Sequence, residues 1–426
     1  MIMYQLHYQG LSLNVILNPQ MAAVTIFDQS SAPSRSLEHV LPFLKEHCLH
    51  WLSNDPKVEE NWSPELQTLE SYSRWVWSVD LSQHGRLLAS GSDDKTIKLW
   101  DPIAGAIKHT LEGHSDSVLS VIFSQDGQLL ASGSDDKTIK LWDPTTGVLM
   151  HTLEGHSDSI LSVTFSRDGQ LVASGSHDKT VKLWDPTTGA LKHTLEGHFD
   201  WVRSVTFLQE GQLLASGSDD RTIKLWDPTT GVLKNTLEGH SDSIRSVTFS
   251  QTGQLLASGS DDETIKLWDP IAGALKNTLE GHSDSVWSVT FSQDGQLLAS
   301  GSRDRTIKLW DPTAGVLKHT LEGHSDWVRS VAFSQNCQLL ASGSHDKTIK
   351  LWDPTTGAPK HTLEGHSDWV QSVAFSQASQ PLASRQTHFE NDCTCRQVSR
   401  ANQMRNKILG SENYSPNRLF ASELIY

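Results

Sequence analysis

A Trp-Asp-Pro tripeptide returns every 42 residues along this chain, at Trp100, Trp142, Trp184, Trp226, Trp268, Trp310 and Trp352, with no insertion or deletion between copies. A fixed period of that length means one small unit stacked on copies of itself, each burying its apolar face against the next. A Gly-His dipeptide keeps the same step, its histidines being His114, His156, His198, His240, His282, His324 and His366. Between these marks lie three short β-type runs, as in SVTFS, LLASGS and TIKLW, and a fourth, as in VLKHTLE. SQDGQ and DPTTG separate them, with Gly where positive φ is needed and Pro where φ near −65° helps. Turns this tight force neighbouring strands to pair antiparallel. Four strands make a blade, and a closed set of blades makes an all-β propeller.

Composition narrows the function classes. The formal charge of −15, with no run of basic residues, disfavours a nucleic-acid partner, which needs clustered Lys and Arg. Four scattered cysteines, Cys48, Cys337, Cys393 and Cys395, do not make a disulfide framework and point to a reducing compartment. Cys393 and Cys395 with His388 lack the second ligand pair of a zinc site, so no metal and no cofactor are expected. The first residues lack a basic segment followed by an apolar one, and no apolar stretch is long enough to span a bilayer. The expected location is cytoplasmic, without membrane insertion.

Gly-His followed by LASGSxDxTIKLWD resembles the WD-repeat family over residues 66 to 384. The resemblance implies a hydrogen-bonded chain of His, Ser, Asp and Trp inside each blade. By motif position the sets are His114, Ser132, Asp136, Trp142; His156, Ser174, Asp178, Trp184; His198, Ser216, Asp220, Trp226; His240, Ser258, Asp262, Trp268; His282, Ser300, Asp304, Trp310; and His324, Ser342, Asp346, Trp352. Each buried Trp removes about 200 Å² from water, an upper bound of roughly 5 kcal/mol, and its indole N–H then needs an acceptor such as the Ser hydroxyl. Each hydrogen bond adds only about 1 kcal/mol, so the polar chain mainly orients the ring. Ser, His and Asp together invite comparison with a hydrolase triad, but six equivalent sets around a ring read as structure. The first unit has Ser71-Tyr72 in place of Gly-His and keeps Ser90, Asp94 and Trp100.

Seven units are complete from LQTLE (66–70) to Trp352, and the expected fold is a seven-bladed propeller of four-stranded antiparallel blades, closed by LQTLE as the last outer strand. APKHTLE (358–364) competes for that slot, its Pro359 being tolerable on an edge. The alternative is eight blades, with WVQSVAFS and PLAS in a degenerate last one. After Ser384 the repeat stops abruptly, which resembles a frameshift or a spliced end; an intact eighth repeat in another frame of the genomic locus would show it. The expected domains are an N-terminal extension, 1–63; the propeller, 64–384; and an irregular tail, 385–426. In the extension, Leu37, Leu41, Leu44, Cys48 and Trp51 share one face of a helix near 37–52, with Ser36 as N-cap.

Near-identical repeats and the lead-in PKVEENWSPELQTLE resemble the NACHT-WD proteins of filamentous fungi, signal-transducing ATPases whose propeller senses a ligand. No G-x-x-x-x-G-K-[ST] phosphate loop occurs in these residues, so the resemblance implies the sensing half only.

Where copies are nearly identical, the exceptions stand out. The first inner-strand residue reads Trp75, Ser117, Ser159, Trp201, Ser243, Ser285, Trp327 and Trp369. Two residues on come Trp77, Leu119, Leu161, Arg203, Arg245, Trp287, Arg329 and Gln371, and the turn between second and third strands offers Asp93, Asp135, His177, Asp219, Asp261, Arg303 and His345. A packed interior tolerates such changes of size and charge poorly, and Trp and Arg are favoured interface anchors. The loops between first and second strands (His84, Asp126, Asp168, Glu210, Thr252, Asp294, Asn336) vary only among polar turn formers. The first three sets are therefore the expected partner-binding face of a non-catalytic scaffold or ligand-recognition module for proteins or peptides. A full-length NACHT-WD relative is one candidate partner, and an enzyme working in the central channel is the less favoured alternative.

Overall fold

A computed structural model describes residues 2–8, 11–18, 23–28, 74–102, 104–375 and 422–423. From Val76 to Leu363 the chain forms seven four-stranded antiparallel sheets, each built from consecutive strands, arranged as the blades of a propeller. Blade 1 runs Val76–Leu81, Leu88–Ser92, Ile97–Asp101, Ala106–Leu111 from the inner to the outer strand, and blade 7 runs Val328–Phe333, Leu340–Ser344, Ile349–Trp352, Pro359–Leu363.

The second and third strands, LASGS and IKLW, lie between neighbouring blades and are buried on both faces, which is why they read as continuous rather than alternating apolar runs. The core is accordingly a set of inter-blade layers. Ala89, Ile97, Leu99 and Leu111 of blade 1 pack with Val118, Val121, Phe123, Leu130 and Trp142 of blade 2. The Gly of LASGS is where the next blade comes closest: a Cβ on Gly133 would meet Ile160 and Val163 methyls at 2.7 Å.

The outer strand of blade 7 comes from its own repeat. Pro359 pairs opposite Trp352 on the outer edge, where the missing N–H costs no ladder bond. Residues 66–70, expected in that slot, lie outside the described residues. After blade 7 the chain turns back inward. Val370 and Val373 pack with Ala341 and Ile349 of blade 7, and Ala374 packs against the Val76, Val79, Leu88 and Trp100 cluster of blade 1. A backbone Val N–H donates to the Ser Oγ of the preceding inner segment at eight successive positions, ending with Val373 to Ser330 and Val79 to Ser372. Seven complete blades and one further inner segment thus close the circle.

A second unit comprises residues 1–62 with 391–426. In it, Ile2–Tyr8, Leu11–Asn18 and Ala23–Asp28 form an antiparallel meander, and Ser422–Glu423 pairs with the first of these strands. The helix expected near 37–52, Ser71-Tyr72, Ser384 and the Cys393/Cys395 pair lie outside the described residues. Among the described residues no helix is long and apolar enough to cross a membrane.

Candidate functional site

Each of the six His-Ser-Asp-Trp sets is brought together inside its blade. The indole N–H of Trp142, Trp184, Trp226, Trp268, Trp310 and Trp352 donates to the Ser Oγ at 2.8–3.0 Å. The same Oγ lies 2.7–2.8 Å from His Nε2. His Nδ1 reaches the Asp Oδ2 at 2.7–2.8 Å. With Nδ1–H donating to the carboxylate, Nε2 accepts the Ser hydroxyl and the chain is polarised in one sense. Burial alone would push Asp136, Asp178, Asp220, Asp262, Asp304 and Asp346 up, but the hydrogen bonds from the histidine, the neighbouring Thr and a backbone N–H hold each well below the usual carboxylate range. Ser132, Ser174, Ser216, Ser258, Ser300 and Ser342 have no exposed surface, so none presents a nucleophile to a substrate. The other Asp oxygen accepts from the Thr at the start of the third strand (Thr138, Thr180, Thr222, Thr264, Thr306, Thr348), a fifth member repeated in every copy.

The three variable sets meet at one mouth of the central channel. In every blade the backbone N–H of the turn residue donates to the carbonyl of the residue that leads into the inner strand, from Asp93 to Trp75 through His345 to Trp327. Each turn residue also faces the first inner residue of the next blade, and the two positions change together. Asp93 accepts a hydrogen bond from Ser117 at 2.7 Å, and Asp135 is bonded by Ser159. His177 stacks on Trp201 with centroids 3.9 Å apart, and His345 stacks on Trp369 at 4.3 Å. The Arg303 guanidinium lies 4.1 Å over Trp327. Asp219 and Asp261, opposite Ser243 and Ser285, are taken instead by the arginines of their own blades. Arg203 holds both oxygens of Asp219, through Nε on Oδ1 at 2.9 Å and Nη2 on Oδ2 at 2.8 Å, and Arg245 directs the same two nitrogens at Oδ2 of Asp261. Across seven junctions Asp therefore always faces Ser, while His or Arg always faces Trp.

The result is an asymmetric rim. Trp287, Trp327, His345, Trp369, Trp75 and Trp77 form a continuous run of rings with successive centroids 4.3–5.7 Å apart, spanning blades 6 and 7, the closing segment and blade 1. Trp75 Nε1 donates to Asp368 at 2.8 Å. Arg329 lies 3.7 Å over Trp287 and donates from Nε to Gln371 at 2.7 Å. At the matching inner-strand positions, blades 2 and 3 offer only Ser117, Leu119, Ser159 and Leu161. Burial, helped by Arg329, pushes His345 down to about 4, so its stacked ring is neutral near pH 7. Burial and then the charges of Arg245 and Arg203 push Arg329 down to about 9, still cationic. A cleft of about 480 Å³ opens at the blade 6–blade 7 junction beside Asp284, Arg303, Arg305, Asp326 and Trp327.

The opposite mouth is lined by Gln83, Gln125, Gln209, Gln251, Gln293 and Gln335 around a cavity of about 530 Å³. Asp80, on the inner strand of blade 1, stands where other blades carry Ile122, Thr164, Thr206, Thr248, Thr290 and Ala332. Its Oδ2 accepts the Phe123 N–H at 2.7 Å, and burial pushes its carboxyl up to about 7. The signal for this carboxylate is present in the sequence, as a departure among the copies, but it falls outside the rim positions. Among the described residues no three His, Cys, Asp or Glu side chains are grouped to hold a metal ion.

These repeats match the family described as WD domain, G-beta repeat, at residues 63–101, 105–143, 147–185, 189–227, 231–269, 273–311, 315–353 and 357–397. The chain belongs to that WD40 family, whose propellers act in general as protein-interaction scaffolds, typically without catalysis. Over 74 residues, 17% of the chain, it is 58% identical to the vegetative incompatibility protein HET-E-1 of Podospora anserina, and the match spans 5% of that relative's length. It is also similar to the crystal structure of the computationally designed Ika8 protein, with a TM-score of 0.66 and 33% identity, covering 72% of this chain and 93% of that one.

Proposed function

We propose that this propeller is a cytosolic recognition module that captures a protein or peptide on the rim carrying Trp75, Trp201, Arg203, Trp287, Trp327, Arg329 and Trp369. The observation that carries the reading is the unbroken run of aromatic rings and guanidinium groups over blades 6, 7 and 1, to which blade 4 adds Trp201 and Arg203, whereas the inner strands of blades 2 and 3 carry neither Trp nor Arg at these positions. Large, stacked, partly exposed Trp and Arg side chains supply most of the energy in protein interfaces, and neighbours that hold them in place lower the ordering cost of binding. Replacing Trp201, Arg203 and Trp327 together with Ala is expected to leave a folded propeller and to abolish capture of partners from a lysate. Capture unchanged by the triple substitution would overturn the reading.

The similarity to HET-E-1 favours a second, compatible reading, in which the module serves as the sensing half of a NACHT-WD-like signalling protein or associates with such a relative. Co-purification with a full-length NACHT-WD protein, lost on the same triple substitution, tests it; co-purification with other proteins alone would contradict it.

A further inference from the structure

Three arginines stand at the same position of their inner strands, two residues in from the rim: Arg203 in blade 4, Arg245 in blade 5 and Arg329 in blade 7. Two of them bring their own counter-charge. Arg203 is held by Asp219 and Arg245 by Asp261, in each case the turn residue of the same blade. In blade 7 that turn residue is His345, turned instead against Trp369. Arg329 therefore has the amide oxygen of Gln371 on Nε and the face of Trp287 beneath it, and its two terminal amino groups have no protein acceptor among the described residues. The carboxylate that the repeat supplies in blades 4 and 5 is missing in blade 7.

Resting on the rim being the recognition face, we infer that a carboxylate from an acidic peptide segment completes this position, pairing with the terminal nitrogens of Arg329 while flanking apolar residues lie against Trp287, Trp327 and Trp369. Two further polar atoms here are buried without a partner, as Trp77 Nε1 and His177 Nε2 are elsewhere on the rim. The indole Nε1 of Trp287 is a buried donor with no acceptor, and Nε2 of His345, a residue only 6% exposed, has no partner. A planar guanidinium matches a carboxylate through two parallel bonds, and stacking on an indole pre-orders it for that contact. A dianionic phosphate fits less well, because Arg203 and Arg245, the cations that face Arg329, are already neutralised by Asp219 and Asp261, whose carboxylates would repel the second charge.

The test is selection of binders from a random linear peptide library on the full chain, on Arg329→Met, which keeps the stem, and on His345→Asp, which restores an internal carboxylate. Binders of the native chain are expected to be rich in Asp and Glu, and both variants to lose that enrichment. For a selected peptide, Arg329→Met and a Glu→Gln change in the peptide should each weaken binding about tenfold to a hundredfold and should not add when combined. Arg329→Lys should keep the acidic preference at lower affinity. Acidic enrichment that persists on Arg329→Met overturns the inference. Neutral binders that are lost on Trp327→Ala overturn it while sparing the recognition face. Failure to select any binder sensitive to Trp327→Ala overturns both.

Discussion

The chain contains 15 tryptophans, and two groups of them stand in opposite surroundings. Trp268 and its six equivalents stand at or next to the ends of the third strands, are almost wholly buried (2% for Trp268), and recur in every copy. Trp201, Trp327 and the other rim tryptophans recur irregularly, and Trp201 is 38% exposed. The first group fills space between blades and is pinned by a Ser hydroxyl, backed in six of the seven by His and Asp, so a change there opens a cavity and strands polar groups. The second group rests on a neighbour that changes with it, Asp for Ser or His and Arg for Trp. Repetition therefore marks the residues that hold the wheel together, and paired variation marks those through which one propeller can differ from another.

The largest expected effect breaks the first side of this contrast. Trp268→Ala should lose about 3–5 kcal/mol in denaturant unfolding, against less than about 1 kcal/mol for Trp201→Ala on the rim. Next, Asp262→Ala removes the carboxylate that orients His240 and should lose about 1–3 kcal/mol. In the folded state Asp262 sits below its ordinary 3.8, so its contribution is present above about pH 4 and fades as the pH falls further. The deficit of the variant should therefore shrink in acid, as melting curves down to pH 3 would show.

A smaller effect sharpens the second side. His177→Asp or Trp201→Ser alone breaks a stacked junction, whereas the two together recreate the Asp–Ser pair seen at Asp93 and Ser117. A double-mutant cycle should return a coupling of about 0.5–1.5 kcal/mol, and additivity would mean that the joint variation is coincidental. The smallest effect concerns Asp80. Its folded carboxyl is raised to about 7, so stability present below its ordinary 3.8 is lost as the pH climbs to 7 and beyond. Asp80→Asn should remove that loss and raise the melting temperature at pH 8 by about a degree or two, the half-buried position of the side chain allowing solvent to screen the rest.

Much of this architecture is legible in the residues alone. The 42-residue step of Trp-Asp and Gly-His marks four short strands per unit, a length and turn pattern that suits a propeller blade, and each copy buries its apolar face against the next. The rim positions are legible too, as departures from the consensus. Their pairing is not, because Asp135 and Ser159 are 24 residues apart in chain and become neighbours only once the turn of one blade is known to face the inner strand of the next. The outer strand of blade 7 is hard to read because Pro359 looks like a strand breaker, although an outer edge does not need its N–H. The N-terminal meander has a weaker signal, without a repeat to reinforce it: Tyr4, Leu6 and Tyr8 alternate with Gln5 and His7, as do Leu11, Leu13, Val15 and Leu17 with Ser12 and Asn14. Asp80 departs from its equivalents as plainly as any rim residue does, but it lies on an inner strand, where a polar change reads as tolerance rather than as a site.

The central claim, that the repeated tryptophans hold the ring while the irregular ones recognise partners, is tested most directly by measuring melting temperature and binding of a captured partner side by side for Trp310→Ala and Trp327→Ala. The account predicts that Trp310→Ala melts far lower yet binds normally per folded molecule, and that Trp327→Ala melts close to the parent yet binds weakly. Equal losses of both properties in both variants would contradict it.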